Sequence, residues 1–157
     1  MENFLNNEAY ENDAEMAAGV EESTTNIVNI EEKKQMRPAF AFWKIGDEEV
    51  KLKLTTPQTL ELEKKFRKNL ITLMGDENNI PPLTTMLQII HAAAVPWNHG
   101  IRLKNVMDLY EKYMEAGGTQ MNLYVDVYLQ IYMVSGFFSP TVAEEMSDTM
   151  KKIQEDM

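Results

Sequence analysis

The sequence contains no cysteine, only two histidines and no long uninterrupted apolar run in its 157 residues. Without cysteine, the chain can form neither a disulfide nor a cysteine zinc site. Its apolar segments end well short of the roughly 20 residues that a membrane-spanning helix needs, and its N-terminus lacks the basic start and apolar run of a secretory signal. We therefore expect a soluble protein of one domain, large enough to bury a core and suited to a reducing compartment.

The sequence also lacks the common motifs of catalytic sites. It has no GxSxG motif, P-loop or GxGxxG motif. His91 and His99 flank a Pro-Trp pair at a spacing that matches no metal-ligand pattern, so we interpret His91 as a buried or half-buried core residue and His99 as a loop residue. Neighbouring glutamates lie along solvated helix faces, whereas acid–base catalysis needs apposed carboxyls in a pocket that shifts their pKa. We predict that the protein is not an enzyme and binds no metal or cofactor.

Charge is distributed unevenly along the chain, whose net charge is −10. Residues 1–36 hold nine acidic and two basic residues and show little helical or strand periodicity. Such a segment buries too little apolar surface to offset its conformational entropy. Residues 37–75 instead hold eight basic and five acidic residues. We predict a flexible acidic N-terminal arm at residues 1–36, followed by a folded and weakly basic region.

The folded region should begin with a β-hairpin at residues 37–55. There the segment AFAFWKI is aromatic and β-forming, Gly46-Asp47 can turn the chain, and EEVKLKL alternates polar with apolar residues. Three helices with apolar residues at helical spacing should follow, bounded by threonine, proline or glycine. Their expected ranges are Thr56 to about Met74, Pro82 to Val95, and about Leu103 to Ala116.

The segment Asn122–Met133, NLYVDVYLQIYM, supports two interpretations. Its apolar residues alternate without a break, and its β-branched residues and tyrosines favour a strand. However, no turn signal interrupts residues 119–135, a length that is ordinary for a helix and long for a strand. Read as a helix, the segment has one polar stripe, formed by Asn122, Asp126 and Gln130, as expected at the centre of a bundle. We favour the helix and keep the strand as the alternative.

A separate amphipathic helix is predicted at residues 139–157. Ser139 can cap it, and Pro140 suits its first turn. A narrow apolar stripe recurs on it at 4-4-3-4 spacing, which is typical of a partner-seeking or coiled-coil seam. Methionine, of which the chain has twelve, fills cores, as we expect for the internal ones, and also suits surfaces that accept varied apolar partners. The candidate partner-binding residues are Val142, Met146, Met150, Ile153 and Met157 on this stripe, together with Tyr110 and Tyr113 on the helix predicted from about Leu103 to Ala116.

A cluster of cations, Lys64, Lys65, Arg67 and Lys68, lies near the end of the first predicted helical stretch. We interpret it as a solvated helix face, because the helix dipole stabilises cations near a C-terminus. The alternative is a nucleic-acid-binding patch, which would also need nearby aromatic side chains. That alternative would make the protein a small acidic nucleic-acid-related regulator, or a nucleic-acid mimic acting through its acidic arm. Since an acidic chain repels nucleic acid at long range, we expect no nucleic-acid partner.

Three stretches of the sequence are similar to a known family: LKLTTPQTLELEKKF, PPLTTMLQIIHAA and HGIRLKNVMDLYEKYMEAGGTQMNLYVDVYLQIYMVSGFF. They resemble the tail assembly chaperones of long-tailed (siphovirus-type) phages and prophages. The likeness spans roughly Val50 to Phe138 and is most specific from Leu109 onward. There a helix, a Gly-Gly stop, Thr-Gln-Met, an apolar helix and Ser-Gly-Phe-Phe follow in the family's order. The acidic arm is longer than the family's pattern.

Pattern and resemblance together predict a mainly α fold. It would be a small bundle of four to five helices at residues 37–138 with an N-terminal β-hairpin, followed by the amphipathic helix at residues 139–157. The resemblance further implies a non-enzymatic factor that binds the tape measure protein, keeps it soluble and helps to recruit tail tube protein subunits. Such a factor acts in the host bacterial cytoplasm, away from membranes, and is absent from the mature virion. The family defines no catalytic or ligand residues, and self-association of this chain stays open.

Overall fold

Helices dominate the part of the chain that the computed structural model describes, residues 38–76 and 78–156. The acidic arm predicted at residues 1–36 lies outside this part. A two-stranded antiparallel hairpin comes first and helices follow it, so the predicted fold class is confirmed. The elements are β1 (Ala41–Ile45), β2 (Glu48–Leu52), α1 (Thr56–Phe66), α2 (Leu70–Leu73), α3 (Leu83–Ala94), α4 (Leu103–Glu115), α5 (Gln120–Leu123), a π-helical segment (Tyr124–Tyr128), α6 (Leu129–Val134) and α7 (Pro140–Asp156).

The hairpin forms where the alternating sequence predicts it. Its two-residue turn has a positive φ of +59° at Gly46 and no positive φ at Asp47, which matches a type II′ turn and the twist of the flanking strands. One face of the hairpin supports the core, and the other faces outward. The buried residues of the inner face are Ala41, Trp43, Ile45, Val50 and Leu52.

The helix predicted from Thr56 to about Met74 is wrong as one continuous element. It stops at Phe66, and Arg67 takes a left-handed conformation with φ 55°. Two side chains then start the short helix α2. Asn69 Oδ1 accepts a hydrogen bond from the Ile71 N–H at 2.8 Å, and Glu63 Oε2 accepts one from the Leu70 N–H at 3.1 Å. Because no glycine or proline marks the break, the asparagine cap is its one local signal.

The tyrosine-rich segment is helical, as predicted, and forms the middle of the fold. We call α5, the π-helical segment and α6 together the central helix, residues 120–134. Its polar stripe faces outward, with Asp126 exposed and Asn122 and Gln130 half-buried, whereas its other three stripes are largely buried. The central helix is not uniformly α-helical, because residues 124–128 are wound as a π-helix. There the Gln130 side-chain amide donates to the Val125 carbonyl at 3.4 Å.

Two buried tyrosine hydroxyls tie the central helix to α2. Tyr128 Oη donates to the Leu73 carbonyl, and Tyr132 Oη donates to the Leu70 carbonyl, both at 2.7 Å. The two hydroxyl oxygens lie 3.2 Å apart. Each hydroxyl has one proton to donate. Because the hydroxyl–carbonyl distances are shorter than the distance between the two hydroxyls, each hydroxyl donates to its carbonyl and not to the other tyrosine. A four-residue helix cannot satisfy its own carbonyls, so the tyrosines supply partners that α2 would otherwise lack.

The outer edge of β2 is covered by groups from the end of α3 and the loop after it. The Lys53 N–H donates to the Ala93 carbonyl at 3.1 Å. The Asn98 side-chain amide donates to the Lys51 carbonyl at 2.8 Å, and the Trp97 indole N–H donates to the Lys53 carbonyl at 2.9 Å. An uncovered edge would leave strand groups unpaired and prone to pair with another chain. The hairpin is therefore fixed in place by hydrogen bonds as well as by its apolar face.

We predict that the Tyr132→Phe substitution lowers the free energy of unfolding by about 1–3 kcal/mol, because the buried Leu70 carbonyl loses its donor. Urea unfolding measures this change. Tyr110→Phe is the matched control. It removes a hydroxyl for which the described part of the chain offers no hydrogen-bond partner, so we expect a change below about 0.5 kcal/mol. Equal losses in both variants would contradict the assigned role of the Tyr132 hydroxyl.

Stability should also fall at alkaline pH. Burial raises the pKa of Tyr132 from its ordinary value of 10 to about 12, and burial together with the neighbouring Tyr132 raises the pKa of Tyr128 in the same direction. Raised tyrosine pKa values stabilise the folded state fully below pH 10, and this stabilisation is lost as pH rises through about 12. Unfolding free energies measured across this range should decline. The Tyr128→Phe/Tyr132→Phe double variant should decline less steeply, and an equally steep decline would argue against these two groups.

Candidate functional site

An apolar cleft lies where α7 passes over the start of the central helix and the loop after α2. Its volume is about 390 Å³. Its walls come from segments far apart in sequence, and four of its residues are methionines. We call it the methionine cleft, defined by Met74, Met121, Met146 and Met150.

Local structure explains how each wall is placed. Met74 follows α2 directly, and Gly75 then turns the chain with φ +74°. A Cβ at Gly75 would lie 2.7 Å from the Asn79 carbonyl oxygen, so this turn requires glycine. Met121 lies in the first turn of α5, whose start is fixed by a capping box between Thr119 and Asn122. Met74 and Met121, which form the wall opposite α7, are thus each held at the end of a helix.

The opposite wall is a single face of α7. Met146 and Met150 lie one helical turn apart, so both point to the same side of the helix. Met150 is 5% exposed, and Met146 is half-buried against the core. The Thr149 hydroxyl donates to the Glu145 carbonyl within α7 and not across the cleft. Apolar packing through these methionines and Ala143 therefore helps to hold α7 against the body.

The floor of the cleft is the π-helical segment and the residue after it. Tyr124, Val125 and Leu129 are all buried and line the cleft. Tyr124 also stacks on Tyr128 with ring centroids 6.0 Å apart. Because the same tyrosine row anchors α2, the floor is rigidly connected to the core. π-helical turns are often found at functional sites, and this one lines the same cleft as the four methionines.

Chemically, the cleft suits an apolar side chain from a partner. Methionine is unbranched and polarizable, so its side chain adapts to differently shaped apolar groups. The rim is polar, with exposed Asp76 and Glu145 carboxylates and the exposed Thr149 hydroxyl. An apolar floor with a polar rim is the usual composition of a protein-binding or ligand-binding cleft.

The predicted site residues are only partly brought together. Met146 and Met150 line the cleft, whereas Val142 is 41% exposed at the start of α7. Met157 and the side chain of Ile153 lie outside what the structure describes. Met150 is packed into the protein's own core in this conformation and is not free for a partner.

Tyr110 and Tyr113 lie elsewhere, beside the hairpin. The Tyr113 ring packs edge-on against Trp43 at 5.8 Å between centroids, and Tyr110 is 6% exposed. A Cβ at Gly118 would lie only 2.5 Å from the Tyr113 ring, which explains why glycine is required there. Both tyrosines therefore contribute to internal packing, and neither lines the methionine cleft.

Sequence reasoning missed Met74, Met121 and the floor residues, because it assigned internal methionines to the core. Both methionines are half-buried. Each stands next to a chain reversal, Met74 before Gly75 and Met121 just after the Gly117-Gly118 stop. These positions beside chain reversals are the sequence signal that could have indicated a surface site.

The basic cluster is solvated, as expected, but only Lys64 and Lys65 lie on α1, whereas Arg67 and Lys68 follow its end. Lys64, Lys65, Arg67 and Lys68 are all exposed, and one aromatic ring lies near them, with Lys65 Nζ 6.0 Å from the centroid of the half-buried Phe66.

Among the residues that the structure describes, neither histidine belongs to a cluster of potential metal ligands. His91 is half-buried with Nε2 3.1 Å from the Ile101 carbonyl oxygen, and His99 is exposed. Across residues 38–76 and 78–156, the structure contains no group of three or more histidine, cysteine or acidic side chains that could hold a metal ion. In the same residues, no helix has both the length and the apolar character needed to cross a membrane.

The described residues thus form a mainly helical domain with an N-terminal β-hairpin and an apolar cleft lined by methionines. A family model matches residues 36–154, and the chain belongs to this family of unknown function, DUF6096. The matched span contains the hairpin and all four methionines of the cleft. No curated protein and no solved structure matches the chain.

We predict that Met150 docks α7, whereas Val142 does not. Met150→Ala removes a buried side chain and should cost about 2 kcal/mol or more in unfolding free energy. Val142→Ala, on the same stripe, should change it by less than about 0.5 kcal/mol. Trypsin cleavage after the exposed Lys151 and Lys152 provides a local readout, because cleavage requires α7 to open. Cleavage should be faster in Met150→Ala alone, and equal rates in both variants would contradict the docking of α7 by Met150.

Proposed function

We propose that this protein is a tail assembly chaperone of a long-tailed phage or prophage. It binds the tape measure protein, keeps it soluble and helps to recruit tail tube protein subunits in the host bacterial cytoplasm. It then leaves before the virion is mature. The observation that carries this proposal is the methionine cleft, which offers an adaptable apolar site to a client. The resemblance of residues 50–138 to such chaperones supports the choice of client.

The client contact follows helix-in-groove recognition. An amphipathic client helix places apolar side chains between Met146 on α7 and Met121 on the central helix, above the buried floor. Methionine walls tolerate different apolar residues at this position, which suits a long client whose seam varies along its length. The exposed Val142 extends the apolar face of α7 beyond the cleft.

Binding at one cleft is weak, because the site accepts few side chains and its walls must order around them. Several chaperone copies along one long client still cover it by avidity. Weak individual contacts also allow tube subunits to displace the chaperone step by step. The proposed function therefore needs an adaptable site of low affinity and no catalytic group.

The test is co-expression of the full chain with the tape measure protein from the same gene cluster. We predict that the client becomes soluble and co-purifies with the chaperone. Met121→Gln/Met146→Gln places polar amides of similar size in the cleft and should weaken binding by roughly tenfold. The matched control is Met107→Gln/Met114→Gln, which changes two exposed methionines outside the cleft.

Thermal unfolding of each variant confirms that the fold is intact before binding is compared. Equal client solubility with and without the chaperone would contradict the proposed function. If a soluble complex forms but both double variants weaken it equally, the proposed function stands and the methionine cleft is excluded as the client-binding site.

A further inference from the structure

The outward face of the hairpin carries a second surface, different in chemistry from the methionine cleft. Alternate residues of the strands point away from the core, and at the end far from the turn these are Phe42 on β1 and Lys51 on β2. Phe42 is 46% exposed and lies opposite Lys51 in the strand register. We call this surface the hairpin patch, defined by Phe40, Phe42, Lys51, Lys53 and Trp97.

The groups of the hairpin patch hold one another in position. The rings of Phe40 and Trp97 pack edge-on with centroids 4.8 Å apart. Lys51 Nζ lies 3.8 Å from the centroid of Phe40 and 5.8 Å from that of Trp97. Lys53 Nζ lies 5.5 Å from the Phe40 centroid. Two ammonium groups are thus gathered around one ring and fixed by cation–π attraction.

The nearby acidic residues do not neutralise these two lysines. Glu49 pairs with Lys44 at 3.8 Å, and Glu48 pairs with Lys112 at 3.4 Å, both near the turn of the hairpin. Among the described residues, no carboxylate forms an ion pair with Lys51 or Lys53. In a chain of net charge −10, the hairpin patch is therefore a local cationic surface. Its cations are held in place before any partner arrives.

We propose that the hairpin patch binds an acidic segment of a partner protein. Lys51 lies on β2 and Lys53 one residue beyond its end, and both ammonium groups lie beside the Phe40 ring. They can therefore donate to carboxylates at alternate positions of an extended segment. Phe42 supplies the adjoining apolar contact for an aliphatic side chain of the same segment. This inference does not depend on the proposed chaperone function, because it uses different residues and a different kind of partner chemistry.

A protein segment fits this surface better than single-stranded nucleic acid does. Several bases need several open aromatic faces for stacking, and of the three rings in the hairpin patch only the exposed Phe42 is open. The Phe40 face is occupied by Lys51, and Trp97 is packed against Phe40 and donates its indole N–H to the Lys53 carbonyl. Two lysines would also release few counterions from a phosphate backbone. The net negative charge of the chain repels nucleic acid at long range, whereas a short acidic segment can approach one cationic patch.

The test is fluorescence anisotropy of a labelled extended peptide that carries glutamates at alternate positions and an adjoining leucine, titrated with the full chain at low salt. We expect saturable binding that weakens as salt rises. Lys51→Gln/Lys53→Gln should weaken it roughly tenfold, since the ion pairs of two half-buried lysines are removed. Lys64→Gln/Lys68→Gln removes the same charge from exposed positions on and after α1 and should leave binding unchanged.

Phe42→Ser provides a second variant, because its exposed side chain can change without disturbing the core. This substitution should weaken peptide binding several-fold while leaving the thermal unfolding of the protein unchanged. Equal weakening by the two lysine pairs would overturn the proposal in favour of non-specific charge attraction. Tighter binding of a labelled oligothymidylate than of the peptide would overturn it in favour of nucleic acid. Collisional quenching of the exposed Trp97, against the buried Trp43, should decrease when the peptide binds at the hairpin patch.

Discussion

The buried hydroxyls of Tyr128 and Tyr132 each need a hydrogen-bond partner, and much of the fold is arranged around this need. The central helix is buried on most of its surface, and a tyrosine buried there must find a partner for its hydroxyl. The carbonyls of Leu70 and Leu73 meet this need, since α2 is too short to use them itself. The position of α2 in turn fixes where Met74 and Gly75 lie. One wall of the methionine cleft therefore depends on hydrogen bonds made well inside the core.

Local sequence rules predict the elements of this protein better than their arrangement. The hairpin follows from alternation around Gly46, and the helical state of residues 120–134 follows from length and from the polar stripe through Asp126. These signals lie within one segment, so periodicity and caps favour the right element in each case, although the unbroken alternation of residues 122–133 leaves a strand as the alternative. The break at Arg67 has only a weak local signal, because the capping bond from Glu63 to the Leu70 N–H spans seven residues and competes with helix continuation.

The candidate site was harder to predict for a related reason. The stripe on α7 gives Met146 and Met150 from spacing alone, but spacing does not say what the stripe faces. The opposite wall, Met74 and Met121, is far away in sequence and is placed by the tyrosine–carbonyl bonds and by the cap at Thr119. The same limit applies to Tyr110 and Tyr113, whose helical spacing is equally consistent with a partner surface or with the internal packing that the structure shows. Pairings between distant segments depend on the whole fold and have no local signature.

The methionine cleft and the hairpin patch differ in how much they can adapt, and this difference matters for what each can recognise. The cleft has flexible side chains on two walls and a helix held largely by apolar contacts, so its shape can follow the partner at a cost in ordering entropy. The hairpin patch has rings locked edge-on, lysines held over a ring, and a backbone fixed by Asn98 and Trp97, so little is lost when a partner binds. An adaptable site tolerates sequence variation and releases easily, whereas a preorganised charged site discriminates by the spacing of carboxylates. The cleft and the patch share no residue, so the two proposed contacts can form independently of each other.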